Sequence, residues 1–265
     1  MGIDGVGIDG MAMMSGWRLR GPAGGLLLLM GACSAPQPKA VEVAPEVPLA
    51  KWTPSLHLAD AAASAGAPAI ALQVSDQLLA KNPRDADAWV SRGDALVALG
   101  RGGEAVTSYA SAVEIKPRDT KALVGLGRAR LQQDPAGAEA MFARVLTLDP
   151  HDAAAASNLG VARDLQGHHA AAQEAYRIAL GITPSSVAVQ VNLGLSMALS
   201  GDAPGAVRLL QPLAIVPGAT PRMRHDLALA LALDGRRAEA STMLGADLPA
   251  EQVRGTLDGF EALRR

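Results

Sequence analysis

The sequence predicts an all-α chain, a right-handed superhelical solenoid of antiparallel helix pairs. Three observations carry that expectation. Aromatic residues are 3% of the 265 residues while hydrophobic residues are 49%, and a core rich in Ala, Leu and Gly suits close-packed helices better than sheet faces, which favour β-branched and aromatic side chains. From Trp52 onward, small, aromatic and proline residues recur with a period of about 34 residues. In several copies a glycine falls near the middle (Gly100, Gly167, Gly201, Gly235) and a proline near the end (Pro117, Pro150, Pro184), where a helical hairpin needs a left-handed cap and a stop.

The first segment reads differently. Arg18 and Arg20 form a basic patch, Leu26 to Met30 an apolar run, and Gly31-Ala32 a small-residue end, which is the layout of a secretory signal. Gly21 to Ala32 is well short of the roughly 20 residues that span a bilayer as a helix. The run Leu29-Met30-Gly31-Ala32-Cys33 resembles a bacterial lipobox, with Met30 in place of the usual Leu. That resemblance implies that Cys33 is diacylated and becomes the mature N-terminus. Ser34 after it implies sorting to the outer membrane, facing the periplasm. The alternative is a conventional signal peptide with an incidental cysteine. Residues 1–33 are therefore read as a signal peptide with lipobox. Asp4 and Asp9 are out of place in a signal, so translation is expected to begin at Met11, Met13 or Met14, leaving residues 1–10 upstream of it. Residues 34–51, with Pro36, Pro38, Pro45 and Pro48, read as a disordered linker that favours polyproline II, about 3.1 Å per residue.

Residues 52–248 read as about six helical hairpins. The clearest unit, Ala86 to Asp119, places Trp89, Gly93, Ala105, Tyr109, Ala112 and Pro117 at positions 4, 8, 20, 24, 27 and 32. This resembles the tetratricopeptide (TPR) signature at nearly every marked site. Thr120 to Asp152 follows with Gly127, Ala138, Phe142 and Pro150, one residue short around Asp134-Pro135. Ala153 to Ser186 supplies Gly160, Ala172, Tyr176, Ala179 and Pro184. Val187 to about Thr220 supplies Gly194, Gly201 and Ala206. Pro221 to about Asp247 is a weaker copy and Trp52 to Asp85 a degenerate first one. Small residues at positions 8, 20 and 27 let two helices approach, and the large residue at 24 fills the space between them. No hairpin buries its apolar faces alone, so the units must stack, with residues 249–265 expected to form a capping helix.

Charge and motif content exclude several functions. Lys plus Arg number 24 against 26 Asp plus Glu, leaving no electrostatic footprint for nucleic acid. One cysteine excludes an intrachain disulfide and a multi-cysteine metal site. His151, His168 and His169 fall in turns and are expected to be solvent-exposed, where adjacent histidines do not converge on a metal. No nucleophile elbow, P-loop or HExxH pattern occurs. No enzymatic activity, cofactor, metal or small-molecule substrate is expected.

What remains is the inner face, lined by the first helix of each hairpin at positions 2, 5, 6, 9 and 12. Asn158 and Asn192 occupy position 6 in consecutive copies, and Asp226 is in phase with them. In TPR domains that clasp extended peptides, asparagines here resemble brackets for the ligand backbone; the alternative is a bond within the hairpin. Arg222 and His225, at positions 2 and 5 of the last copy, add positive charge or simply form a solvated helix start. Asp87 and Asp94 stand where a basic clamp for a peptide carboxylate would be, which disfavours a chaperone-tail receptor.

The C-terminal half carries a closer resemblance. Asn192-Leu-Gly-Leu-Ser-Met-Ala-Leu-Ser-Gly, Pro217-Gly-Ala-Thr-Pro-Arg-Met-Arg-His-Asp-Leu-Ala and Asp247-Leu-Pro-Ala-Glu-Gln-Val are similar to the tight-adherence (Flp) pilus assembly lipoproteins, the TadD family, over roughly residues 85 to 260. The last helix lacks that family's Asn-Asn-Leu-Ala-Tyr-Tyr stretch, although Leu257 and Phe260 keep the apolar spacing. The resemblance implies a lipid-anchored outer-membrane TPR adaptor whose partners are a secretin or other pilus-assembly subunits. The wider alternative is a periplasmic TPR scaffold for envelope or outer-membrane biogenesis.

Overall fold

The computed structural model describes residues 54–263; the signal segment, Cys33, the linker and Trp52 lie outside the described residues. The described chain forms six consecutive helix pairs and a last single helix. The pairs are α1 (Leu56–Ser64) with α2 (Pro68–Lys81), α3 (Ala86–Ala98) with α4 (Gly102–Ile115), and α5 (Thr120–Arg130) with α6 (Pro135–Leu148). They continue with α7 (Ala153–Asp164) and α8 (His169–Ile182), α9 (Val187–Leu199) and α10 (Ala203–Ala214), and α11 (Pro221–Leu233) and α12 (Arg237–Gly245), before α13 (Ala250–Ala262). This is an all-α solenoid.

The helix ends follow from side-chain chemistry. Asp85, Asp119, Asp152 and Thr220 each turn a side-chain oxygen onto backbone N–H groups of the turn that follows, satisfying donors that a helix start leaves orphaned. At the far end Gly100 adopts φ 72°, and the Arg101 N–H then reaches back to the Leu96 carbonyl at 2.8 Å. A β-carbon would strain that left-handed backbone. The same geometry recurs at Gly66, Gly167, Gly201 and Gly235. In the third hairpin the turn is shorter: the Asp134 N–H bonds the Arg130 carbonyl at 2.8 Å, and Asp134 then caps α6 through the Gly137 N–H.

Packing within a hairpin depends on glycine. A Cβ on Gly93 would lie 2.6 Å from the Tyr109 ring, on Gly127 2.7 Å from Phe142, on Gly160 2.5 Å from Tyr176, and on Gly194 2.6 Å from Leu210. In these four copies position 8 must therefore be glycine for the large residue of the second helix to seat, whereas the first and last copies carry Ala59 and Ala228 there. Ala105, Phe142 and Tyr176 are buried, whereas Pro117, Pro150 and Pro184 sit exposed just beyond the second helices, where they cannot continue them. Trp89 is half-buried, donating from Nε1 to the Pro83 carbonyl at 2.9 Å. Neighbouring first helices also touch, α1 with α3, α3 with α5, α7 with α9 and α9 with α11, which makes them a row along one side. Val253 and Leu257 of α13 complete the apolar cluster of the last hairpins, with Phe260 packed against it.

Candidate partner-binding face

The row of first helices brings Asn158 (α7), Asn192 (α9) and Arg222, His225 and Asp226 (α11) together, but they do not stand as free brackets. Asn158 is only 3% exposed. Asn192 is half-buried, and its Oδ1 accepts from Arg222 Nη2 at 2.8 Å across the joint between the fifth and sixth hairpins. Arg222 also lies 3.5 Å from Oδ2 of Asp226, one turn further along α11. The expectation of a solvated helix start at Arg222 is corrected: its long side chain spans from its own helix to the preceding first helix.

This joint is under-bonded. Arg222 Nε, Asp226 Oδ2 and His225 Nε2 are buried atoms with no hydrogen-bond partner among the described residues. Burial pushes the Asp226 carboxyl up to about 6, although the Arg222 guanidinium pulls the other way. His225 approaches Asp247 at 3.9 Å. Asp247 is chiefly held by Arg224 through two bonds, and its carboxyl lies below the ordinary range because of that guanidinium.

The central hairpins carry a second polar group. Asp164 accepts from Tyr176 Oη at 2.9 Å and from Ser196 Oγ at 2.7 Å, and lies 2.8 Å from His169 Nδ1. His169 is therefore turned inward and half-buried, correcting the expectation that it points to solvent; His151 and His168 are exposed. Tyr176 has its pKa raised by burial first and by the Asp164 charge second. Its counterpart Tyr109 donates to Asp94 Oδ1 at 2.5 Å. The Asp94 carboxyl is raised by burial despite that bond. Asp87 is paired with Lys116 at 2.9 Å.

Counting positions 2 and 9 through the first three copies would also have reached Asp60, Lys121 and Arg128, which the reading of Asn158, Asn192 and the last copy passed over. No group of three or more His, Cys, Asp or Glu with metal-holding geometry occurs among the described residues. No helix among them is long and apolar enough to cross a membrane.

Comparison with known proteins gives this geometry a family. The tetratricopeptide repeat family model matches residues 56–120, 92–153 and 124–187. No curated protein matches the chain. Among solved structures, PilF of Pseudomonas aeruginosa is 18% identical with a TM-score of 0.63, over 78% of this chain and 95% of that one. MamA from Desulfovibrio magneticus RS-1 is 22% identical with a TM-score of 0.56, over 59% and 89%. YrrB, described as a TPR protein with an unusual peptide-binding site, is 16% identical with a TM-score of 0.53, over 70% and 96%. At these identities the likeness is one of fold. The fold is that of a protein–protein interaction scaffold, and the chain is a tetratricopeptide repeat protein.

Proposed function

We propose that this scaffold is a lipid-anchored outer-membrane adaptor, facing the periplasm, that engages a secretin or other subunits in tight-adherence (Flp) pilus assembly. The observation that carries the reading is the turn Pro217 to Arg222, because turn sequences are not dictated by helix packing. Each of its distinctive residues has a task that bears on the inner row. Gly218 takes φ 90°, Thr220 caps α11 by accepting from the Met223 N–H at 3.3 Å, and Pro221 begins the helix. Arg222, next in line, reaches Asn192. The turn thus sets Arg222 in line with Asn192, and a partner segment laid along the first helices would meet these two half-buried side chains, while Asn158 and Asp226 of the same row are buried. The shared fold with PilF is in keeping with a pilus role.

The test is co-purification from detergent-solubilised envelopes with the full-length chain and a Cys33→Ser control, read by mass spectrometry. Recovery of secretin or pilus-assembly subunits that depends on Cys33 is expected. Recovery of cell-wall enzymes instead would favour the wider envelope scaffold, and recovery of the same subunits regardless of Cys33 would remove the anchor from the mechanism.

A further inference from the structure

The first three hairpins carry charge on the row of first helices that the fold does not use. Asp60 and Asp94 occupy position 9 of the first and second copies, and Lys121 and Arg128 positions 2 and 9 of the third. α1 packs on α3 and α3 on α5, so Asp60, Lys121 and Arg128 gather around the Asp94 carboxyl. Asp60 raises the Asp94 pKa by like charge, while Arg128 and Lys121 lower it. In position 9 of the last three copies stand Val161, Leu195 and Leu229, so position 9 is charged only at this end.

Several other charges in these hairpins are paired directly. Asp76 holds Arg92 at 2.7 Å, Glu104 holds Arg101 at 2.7 Å, and Asp87 holds Lys116 at 2.9 Å. Among the described residues, Asp60, Lys121 and Arg128 make no side-chain hydrogen bond or ion pair, and Asp94 uses only Oδ1, toward Tyr109. The Tyr109 ring is wedged against Gly93 and Gly125, where even a methyl group would clash. Asp94 is therefore fixed before any partner arrives, which lowers the ordering cost of binding. The arrangement is two anions, on α1 and α3, and two cations, on α5, with no direct ion pair between them.

We propose that the face formed by α1, α3 and α5 docks an extended segment of a partner protein bearing one basic and one acidic side chain, the basic one over Asp60 and Asp94 and the acidic one over Lys121 and Arg128. Packed helices lie about 8–10 Å apart. In a polyproline II segment, residues three apart fall on the same side, about 9 Å from each other. The matching motif is a basic and an acidic residue separated by two others. Charge complementarity of this kind sets partner choice and register more than raw affinity. This inference rests on the reading that the first-helix row receives the partner.

The test uses the full-length chain in detergent and fluorescein-labelled proline-rich peptides that differ only in charge: Lys-x-x-Glu, Glu-x-x-Lys, Lys-x-x-Lys, Glu-x-x-Glu and an uncharged version, read by fluorescence anisotropy. One of the mixed-charge peptides is expected to bind about fivefold or more tighter than either single-sign peptide, on the scale of an exposed charge contact. Arg128→Glu is expected to shift the preference to Lys-x-x-Lys. Arg128 has no hydrogen bond to lose but the swap adds a like charge near Asp94, so its thermal melt is compared with the parent's, and Asp60→Lys, which removes a like charge there, supplies the opposite shift toward Glu-x-x-Glu. Equal binding of all five peptides, or an unchanged order in both variants, would overturn the charge register while leaving the groove itself in place. No binding by any peptide would overturn this proposal outright, and the envelope co-purification would still decide the adaptor role.

Discussion

Arg222 donates from Nη2 to Asn192 Oδ1 at 2.8 Å, so two residues in adjacent copies of the repeat are bonded to each other instead of both facing a ligand. The bond ties the sixth hairpin to the fifth, and the same guanidinium partly balances Asp226, buried to 7% exposure. Arg222→Ala removes both contacts and leaves the carboxylate alone. Arg222 is about a third exposed, so the cost is set below that of breaking a fully buried pair, at about 1–2 kcal/mol. Urea denaturation of the single variant and of Arg222→Ala/Asp226→Asn checks this: the double variant should recover most of the loss.

Asp226 also gives the fold a pH dependence of definite sign. Its folded pKa of about 6 lies above the ordinary unfolded value of about 3.9. The folded state therefore holds the proton more tightly. The stabilisation this provides is fully present below about pH 4 and is lost as pH rises through about 6. Asp226→Asn should accordingly stabilise the protein at pH 7.5 by about 2 kcal/mol, with the gain shrinking toward zero near pH 4. Parallel thermal melts across that range measure it; a gain that does not change with pH would contradict the assignment.

Two glycines separate packing from propensity. Gly160→Ala sets a methyl group against the Tyr176 ring, 2.5 Å away, in a core with little room to yield. A loss of about 2–3 kcal/mol is expected. Gly255, exposed in the middle of α13 with nothing within 4 Å of its Cβ position, should gain about 0.5–1 kcal/mol on replacement by Ala. Denaturation midpoints of the two variants should move in opposite directions.

Tyr176, Ser196 and His169 share one carboxylate. Asp164→Ala strands a buried phenol and a fully buried serine, and should cost about 3 kcal/mol, whereas Tyr176→Phe removes one bond and should cost about 1 kcal/mol. The ratio of the two losses, taken from urea denaturation, shows whether Asp164 serves several partners at once.

The fold class was legible because the residues that mark the repeat do geometric work that no others can. Gly93 is required by the Tyr109 ring, and Gly100 by a left-handed turn. The row of first helices was legible for the same reason, since counting through the repeat puts Asn158, Asn192 and Asp226 in line. Which of them would be free was not legible. A long side chain such as Arg222 goes where the neighbouring helix offers an acceptor, and that depends on the distance between hairpins. His169 lies in a turn by sequence, yet it faces inward because Asp164, the last residue of α7, offers it a carboxylate. Pro212 would ordinarily end a helix, but α10 continues to Ala214. Only one backbone bond is forfeited that close to the helix end.

The central claim is that partners bind along the first helices. A photo-cross-linking amino acid placed at position 192 on α9 and, separately, at exposed position 174 on the second helix α8, followed by irradiation of intact cells, tests it most directly. The account predicts a covalent adduct with an envelope protein from position 192 and none from position 174. Adducts from position 174 alone would place the partner on the second helices and contradict the account.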